Sequence, residues 1–507
     1  VAKKRRRRRV KPKKARGAKL NKVNRLSEEH KTLGKSGLRY FIWGAVITVV
    51  ATILVGVGIE WYDRYTDKRA IVIIAPDYEI YYNGLPEAPD KVRSPYADGL
   101  RALRKSEFEE AKSYFEKALT KTNDYSELCA IHQALGNVLV QMGYYIEARK
   151  NFDKALVLAD YAKDDLAKIN VFNGLGLAEM YVGDSDSALG YFGKGAELAE
   201  TINDEVMLGV INGNRGLLMR REGDLDRALA YHKSALAAFR KHGEVVRVGN
   251  QLGNIGIIYE DRGNFDGALK CYREGLKIFK DNGNPAGEAK TLGNIGNVLT
   301  AKGDLDGALT NLNRSLEIHR RLGDRHGEAR QLENIGGVLA LNGDGDGAID
   351  AFNDSLKLYR EIGDRQGEGE VIFNIGNIYK ERKEYDQALE NYNDALTVFR
   401  NSGSAQHEAN ALCNIGTVYF DKRDFTRAEA NYRAALKIHR AGGNALAVAA
   451  DLSNIGQIFL VRREPEEALS YFGEALVITE TAGATRETTV INNNIEMAKA
   501  MLEEKGG

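Results

Sequence analysis

The tripeptide Asn-Ile-Gly at residues 254–256 returns at Asn294, Asn334, Asn374, Asn414 and Asn454, each time 40 residues on. A compact single-core domain has no reason to keep such a period. A fixed repeat of 20 to 50 residues marks a solenoid, in which each unit buries its apolar face only against its neighbours. Any function of such a chain belongs to the surface that the units share.

Glycine keeps the phase at Gly136, Gly176, Gly216, Gly256, Gly296, Gly336, Gly376, Gly416 and Gly456, and alanine follows twelve residues after each, from Ala148 to Ala468. Gly99 and Ala111 keep the same offset, which makes ten repeats. Leu252, Ile255, Gly256 and Tyr259 form one stripe at helical spacing, and Gly263 and Asn264 break the helix. A second amphipathic helix then starts near Asp266 with Ala268, Tyr272 and Leu276 facing inward. Glycine on one helix and alanine on the other allow close antiparallel approach, with Tyr259 and Tyr272 filling the flanking space. Gly243, Gly283, Gly323, Gly363, Gly403, Gly443 and Gly483 stand where a left-handed residue would close each second helix. Asn494-Ile495 keeps phase but Glu496 replaces the glycine, so residues 486–507 are expected to form a solvated capping helix.

This arrangement, a small residue eight positions in, an aromatic near eleven, alanine at twenty and an aromatic near twenty-four, resembles the tetratricopeptide repeat (TPR). The resemblance covers residues 92 to about 507, with ten repeats over 92–485. The period is 40 rather than the usual 34, which is similar to the repeats of kinesin light chain and of Pins-type adaptors. It implies an all-α TPR solenoid, a right-handed superhelix of antiparallel helix pairs, whose inner groove binds peptides. Armadillo and HEAT repeats share the period but not the glycine–alanine pairing.

With the glycine numbered 8, positions 2, 6, 9 and 13 of each first helix lie within about 60° of one another, opposite the apolar stripe. They are expected to form the exposed groove face. Position 6 is asparagine in eight successive units: Asn214, Asn254, Asn294, Asn334, Asn374, Asn414, Asn454 and Asn494. Asparagine is a poor helix former, and its carboxamide carries both a donor and an acceptor suited to the backbone of an extended peptide. Asn297 and Asn377 at position 9 join that row, and Lys290, Asn294, Asn297, Arg330 and Asn334 make a basic patch able to take a carboxylate. The competing reading is that the asparagines bridge neighbouring helices inside the solenoid.

The N-terminal region differs in kind. Residues 1–39 hold 17 Lys or Arg against Glu28 and Glu29, an arm of charge +15 on a chain whose net charge is +1. Residues 40–59 then carry no charge, and 20 residues at about 1.5 Å each span the roughly 30 Å of a bilayer core. Trp43 at one end and Trp61, Tyr62 and Tyr65 at the other suit an interfacial belt, and the basic side reads as cytoplasmic. The expectation is a single transmembrane helix with the array outside the cytosol, in periplasm or lumen; the alternative places the array in the cytosol. Gly44, Thr48, Thr52 and Gly56 form a small-residue ladder that would admit a second helix and give a homo-oligomer. The arm suits anionic lipid headgroups, and its lack of interleaved aromatics argues against nucleic acid. Residues 60–91 read as a linker, since Pro76, Pro86, Pro89 and Pro95 oppose helix in this region.

No catalytic constellation emerges. The three cysteines, Cys129, Cys271 and Cys413, are far apart, and the eight histidines show no metal spacing. Gly343-Asp344-Gly345-Asp346-Gly347 lacks the full ligand set of a calcium loop and reads as a turn. The sequence therefore points to a membrane-anchored scaffold or adaptor for a peptide or partner protein, not an enzyme, with no cofactor or metal. A self-assembling architectural protein is the alternative.

Overall fold

A computed structural model describes residues 90–104 and 107–506, all within the second of two units into which the chain divides, 1–73 and 74–507. The basic arm, the apolar stretch 40–59 and nearly all of the linker lie outside the described residues. Among the described residues there are 21 helices and no strand. No described helix is long and apolar enough to cross a membrane.

The helices form ten pairs and a terminal single. The first five pairs are α1 (Asp90–Arg104) with α2 (Phe108–Leu119), α3 (Tyr125–Gln141) with α4 (Tyr145–Ala162), α5 (Asp165–Val182) with α6 (Ser185–Thr201), α7 (Glu205–Arg221) with α8 (Leu225–Lys241), and α9 (Val245–Asp261) with α10 (Phe265–Asp281). The next five are α11 (Pro285–Ala301) with α12 (Leu305–Leu322), α13 (Arg325–Leu341) with α14 (Gly345–Ile362), α15 (Arg365–Glu381) with α16 (Tyr385–Asn401), α17 (Ala405–Asp421) with α18 (Phe425–Ala441), and α19 (Ala445–Val461) with α20 (Pro465–Thr481). α21 (Thr485–Gly506) packs on α20, burying Ile491 and Ala498 and exposing Asn492, Asn493, Glu496 and Lys499.

Pro95, counted among the prolines that oppose helix, lies inside α1. Its ring already holds a helical φ, and as the sixth residue of α1 it forgoes one backbone bond to the preceding turn. Tyr96, buried beside it, packs on Phe115 with ring centroids 5.5 Å apart and fixes α1 to α2.

The conserved spacing of glycine and aromatic within the chain has a sharper cause than close approach alone. A Cβ on Gly256 would stand 2.5 Å from Tyr272 Cε1, so the ring lies on the glycine itself instead of beside it. Phe152 covers Gly136, Phe192 covers Gly176, Phe352 covers Gly336 and Phe472 covers Gly456 in the same way. The alanine on the second helix is equally enclosed; Ala268, Ala308, Ala348 and Ala388 are all 0% exposed.

Junctions repeat as regularly as cores. Gly263 has φ 69° and the next residue, Asn264, caps α10 by accepting from the Gly267 N–H at 3.0 Å. Asp304, Asp344 and Asp364 cap their helices identically. The Gly343–Gly347 segment is thus a helix-connecting turn: Asp344 is a cap and Asp346 pairs with Arg382 at 2.6 Å. At five junctions among the described residues the left-handed position is held by a residue other than glycine, Lys163, Asn203, Lys383, Arg423 and Arg463, with φ of 54°, 58°, 61°, 60° and 63°. Arg423→Gly and Arg463→Gly should each stabilise the array by about 1 kcal/mol, because a side chain is strained there and glycine is not. Chemical denaturation of each variant checks this, with an unchanged midpoint counting against it.

Candidate functional site: the first-helix row

Successive first helices contact one another directly, α3 on α5 and α9 on α11 for example, and do so more closely than successive second helices. They form the tighter side of the stack. Each first helix is also covered by its own partner and by the preceding second helix; α9, for instance, packs on α8, α10 and α11. Only a narrow strip is left open.

The asparagine row occupies the seams between first helices, and this corrects the expected exposed face. Asn214 and Asn254 are buried at 4% and 3% exposure, while Asn294, Asn334, Asn374, Asn414, Asn454 and Asn494 are half-buried. Asn214 Nδ2 donates to Asn173 Oδ1 at 2.7 Å, Asn374 Nδ2 to Glu333 Oε1 at 3.4 Å and Asn454 Nδ2 to Cys413 Sγ at 3.5 Å. Asn414 Nδ2 donates to Asn377 Oδ1 at 3.1 Å. Three of these four bonds join residues 41 apart, so position 6 of one helix meets position 5 of the helix before it. A wheel with one inner and one outer face could not reveal this, because neighbours cover the flanks as well.

The bonds share an orientation. In all four the amide N–H is the donor, and among the described residues no group donates back to the Oδ1 of Asn214, Asn374, Asn414 or Asn454. None of those four oxygens is sealed from solvent, whereas Asn254 Oδ1 is buried with no hydrogen-bond partner. Across its seam stands Gly213, which has no side chain.

The position-9 residues are less available than expected. Asn297 is 7% exposed and already engaged within the chain, and Asn377, at 9%, accepts from the Tyr392 hydroxyl at 2.6 Å. Lys290 and Arg330 are half-buried on the same row; Lys290 has a partner within the chain, and no ion pair joins Arg330 to the described residues. At the far end of the strip Glu381 and Asp421 are exposed, and partial desolvation by the neighbouring helices raises their carboxyls above the ordinary range against the opposing pull of Lys380.

Sequence reasoning missed the largest electrostatic feature of the row. Arg220 of α7 binds Asp261 of α9 through Nε at 2.5 Å and a second N–H at 3.2 Å, with both side chains under a tenth exposed. These residues are also 41 apart. Complementary partners at one period plus one residue were the available signal.

The tetratricopeptide repeat model matches residues 208–281, 287–361, 328–401 and 407–481, together more than half of the chain. The chain belongs to the tetratricopeptide repeat family. No curated protein matches this TPR chain in sequence. Among solved structures, the apo form of RapI is similar at 13% identity, with 70% of this chain and 99% of that chain covered and a TM-score of 0.51. The apo form of the quorum sensor NprR from B. thuringiensis is similar at 16% identity, covering 68% and 98%, with a TM-score of 0.50. BtubC from P. vanneervenii, at 21% identity, covers 43% of this chain and 91% of its own with a TM-score of 0.39. At these identities the likeness concerns the TPR fold alone.

Proposed function

We propose that the array is a membrane-anchored scaffold that holds an extended peptide or the extended segment of a partner protein along its first-helix row. The observation that carries this reading is the common orientation of the seam amides: Nδ2 is fixed by the preceding repeat, and Oδ1 is left to accept a backbone N–H. First helices about 9 Å apart and a peptide advancing about 3.3 Å per residue would bring one amide to every third peptide residue. Arg330 and Lys290 would favour an acidic group at the centre. NprR, named as a quorum sensor, illustrates a sensing role on a similar fold.

The test uses the full chain against a display library of random unstructured peptides, comparing wild type with the Asn374→Ala, Asn414→Ala, Asn454→Ala triple variant. Three hydrogen bonds of about 1 kcal/mol each correspond to on the order of 100-fold in Kd. Unchanged affinity with lowered melting temperature would assign the row to seam structure only.

Anchoring rests on the uncharged stretch 40–59 and its basic flank. In sealed vesicles the array should resist protease added on the side of the N-terminal arm; digestion from that side reverses the orientation.

A further inference from the structure

The outer face of α4 departs from the pattern of later second helices. Ile146, Lys150, Lys154, Val157 and Tyr161 fall within a sector of about 80° at 100° per residue, and all are exposed. Position for position, α10 carries Asp266, Lys270, Glu274, Lys277 and Asp281, and α14 carries Asp346, Asp350, Asp354, Lys357 and Glu361, every one charged.

The edges of the second unit change in the same sense. In later units residues 36 apart are joined by ion pairs, Lys241 to Glu205 at 2.6 Å on one edge and Arg382 to Asp346 at 2.6 Å on the other. Here the equivalent residues are Tyr161 with Tyr125, stacked with ring centroids 5.5 Å apart, and Val182 with Ile146. Tyr144 stands where Asp184, Asp224 and Asp304 cap later helices, and it gives α4 no side-chain cap. The second unit thus forgoes a cap and two ion pairs, and leaves Tyr125, Tyr144, Ile146, Val157, Tyr161 and Val182 between 49% and 69% exposed. That exchange adds nothing to the stability of the array itself; it makes a contiguous apolar face of the kind that marks an interaction site.

We propose that this face is the dock for residues 77–85 of the same chain, which belong to the same unit as the array. Tyr78, Ile80, Tyr81, Tyr82 and Leu85 supply the apolar surface, and Asp77 and Glu79 supply carboxylates in a stretch without Lys or Arg. They complement Lys150 and Lys154, which no ion pair joins to the described residues. The lengths agree. The stripe from Ile146 to Tyr161 rises about 22 Å, and Tyr78 to Leu85 extended spans about 23 Å. First helices begin, and second helices end, on one edge, so the chain enters α1 at Asp90 one unit from the Tyr125–Tyr161 pair. Leu85 to Asp90 reaches about 17 Å, which covers that step of about 9 Å. A tether this short gives an effective concentration of about 1 mM, which a second copy at micromolar concentration does not match. The dock lies on a second helix and is independent of the amide row.

Hydrogen–deuterium exchange on the full chain, in detergent micelles and in phosphatidylcholine vesicles, reads the dock at the amides of 77–85. They should exchange about tenfold slower than their intrinsic rate, the ratio of that effective concentration to an intrinsic Kd of about 0.1 mM. The Ile146→Asp, Tyr161→Lys double variant takes the residue types that α8 carries at Asp226 and Lys241, and should return the amides to the intrinsic rate. Val477→Asp, an exposed position of α20 at the phase of Val157, should change nothing. If the double variant fails to fold, Lys150→Glu with Lys154→Glu reads the same dock through charge and should speed the exchange. Intrinsic-rate exchange in wild type, or protection that survives these variants, overturns the proposal. So does protection lost on dilution, which assigns the face to a second copy, and protection seen only in vesicles, which assigns it to a lipid surface.

Discussion

Gly256→Leu should melt the middle of the array at a markedly lower denaturant concentration than wild type, with a loss of about 3–5 kcal/mol, the range for emptying a core aromatic site. The reason is local. Tyr272 is 0% exposed and its ring lies where the first carbon of any side chain at 256 must go. The ring has to leave, and its hydrogen bond to Glu260 leaves with it. Gly256→Ala should also lose stability, by about 1 kcal/mol: overpacking costs about 1–3 kcal/mol, and the better helix propensity of alanine returns about 1 kcal/mol. Gly253, one turn earlier on the same helix, is the control, because a Cβ there meets nothing within 4 Å. Gly253→Ala should stabilise by up to about 1 kcal/mol. Equal effects at 253 and 256 would sink the packing explanation.

Asp261→Ala is the second large effect, a loss of about 3 kcal/mol, because removing one member of a buried ion pair leaves the other charge poorly compensated. Arg220 keeps only 9% of its side-chain surface in water, so it cannot simply rehydrate in place. The Arg220→Met, Asp261→Leu double variant should recover most of that loss, ending within about 1 kcal/mol of wild type. A double-mutant cycle by urea denaturation measures this, and additive losses would show that the two residues do not act as a pair.

Much of this architecture was legible in the sequence because the physics behind it is periodic. Gly256 and Ala268 recur at fixed phase for the same packing reason in every unit, and the left-handed glycines such as Gly263 recur because a helix must end there. The site was legible only in outline. Asn374 was found because it repeats, but its direction was misread: a single helix viewed alone has an exposed side wherever its apolar stripe is absent. Stacking removes that side. The contacts that decide what Asn374 does come from Glu333, a residue 41 positions away that belongs to another unit. Arg220 and Asp261 escaped notice for the same reason, since each is an ordinary helix-end charge until the neighbouring repeat is set beside it. Pro95 was counted against helix by local density alone, whereas the cost of a proline inside a helix, about 3 kcal/mol, is offset where α1 packs on α2.

The register of 41 has a further consequence for how such a chain can change length. Where a seam is generic, excising one complete unit brings together two surfaces that already match, so copies can be gained or lost by recombination without redesign. Arg220 with Asp261, and buried His232 with Gln251 at 2.8 Å from its Nδ1, do not tolerate this. Each acts as an address shared by two specific neighbours, fixing the fourth unit beside the fifth, as the buried His439–Asp451 pair fixes the ninth beside the tenth.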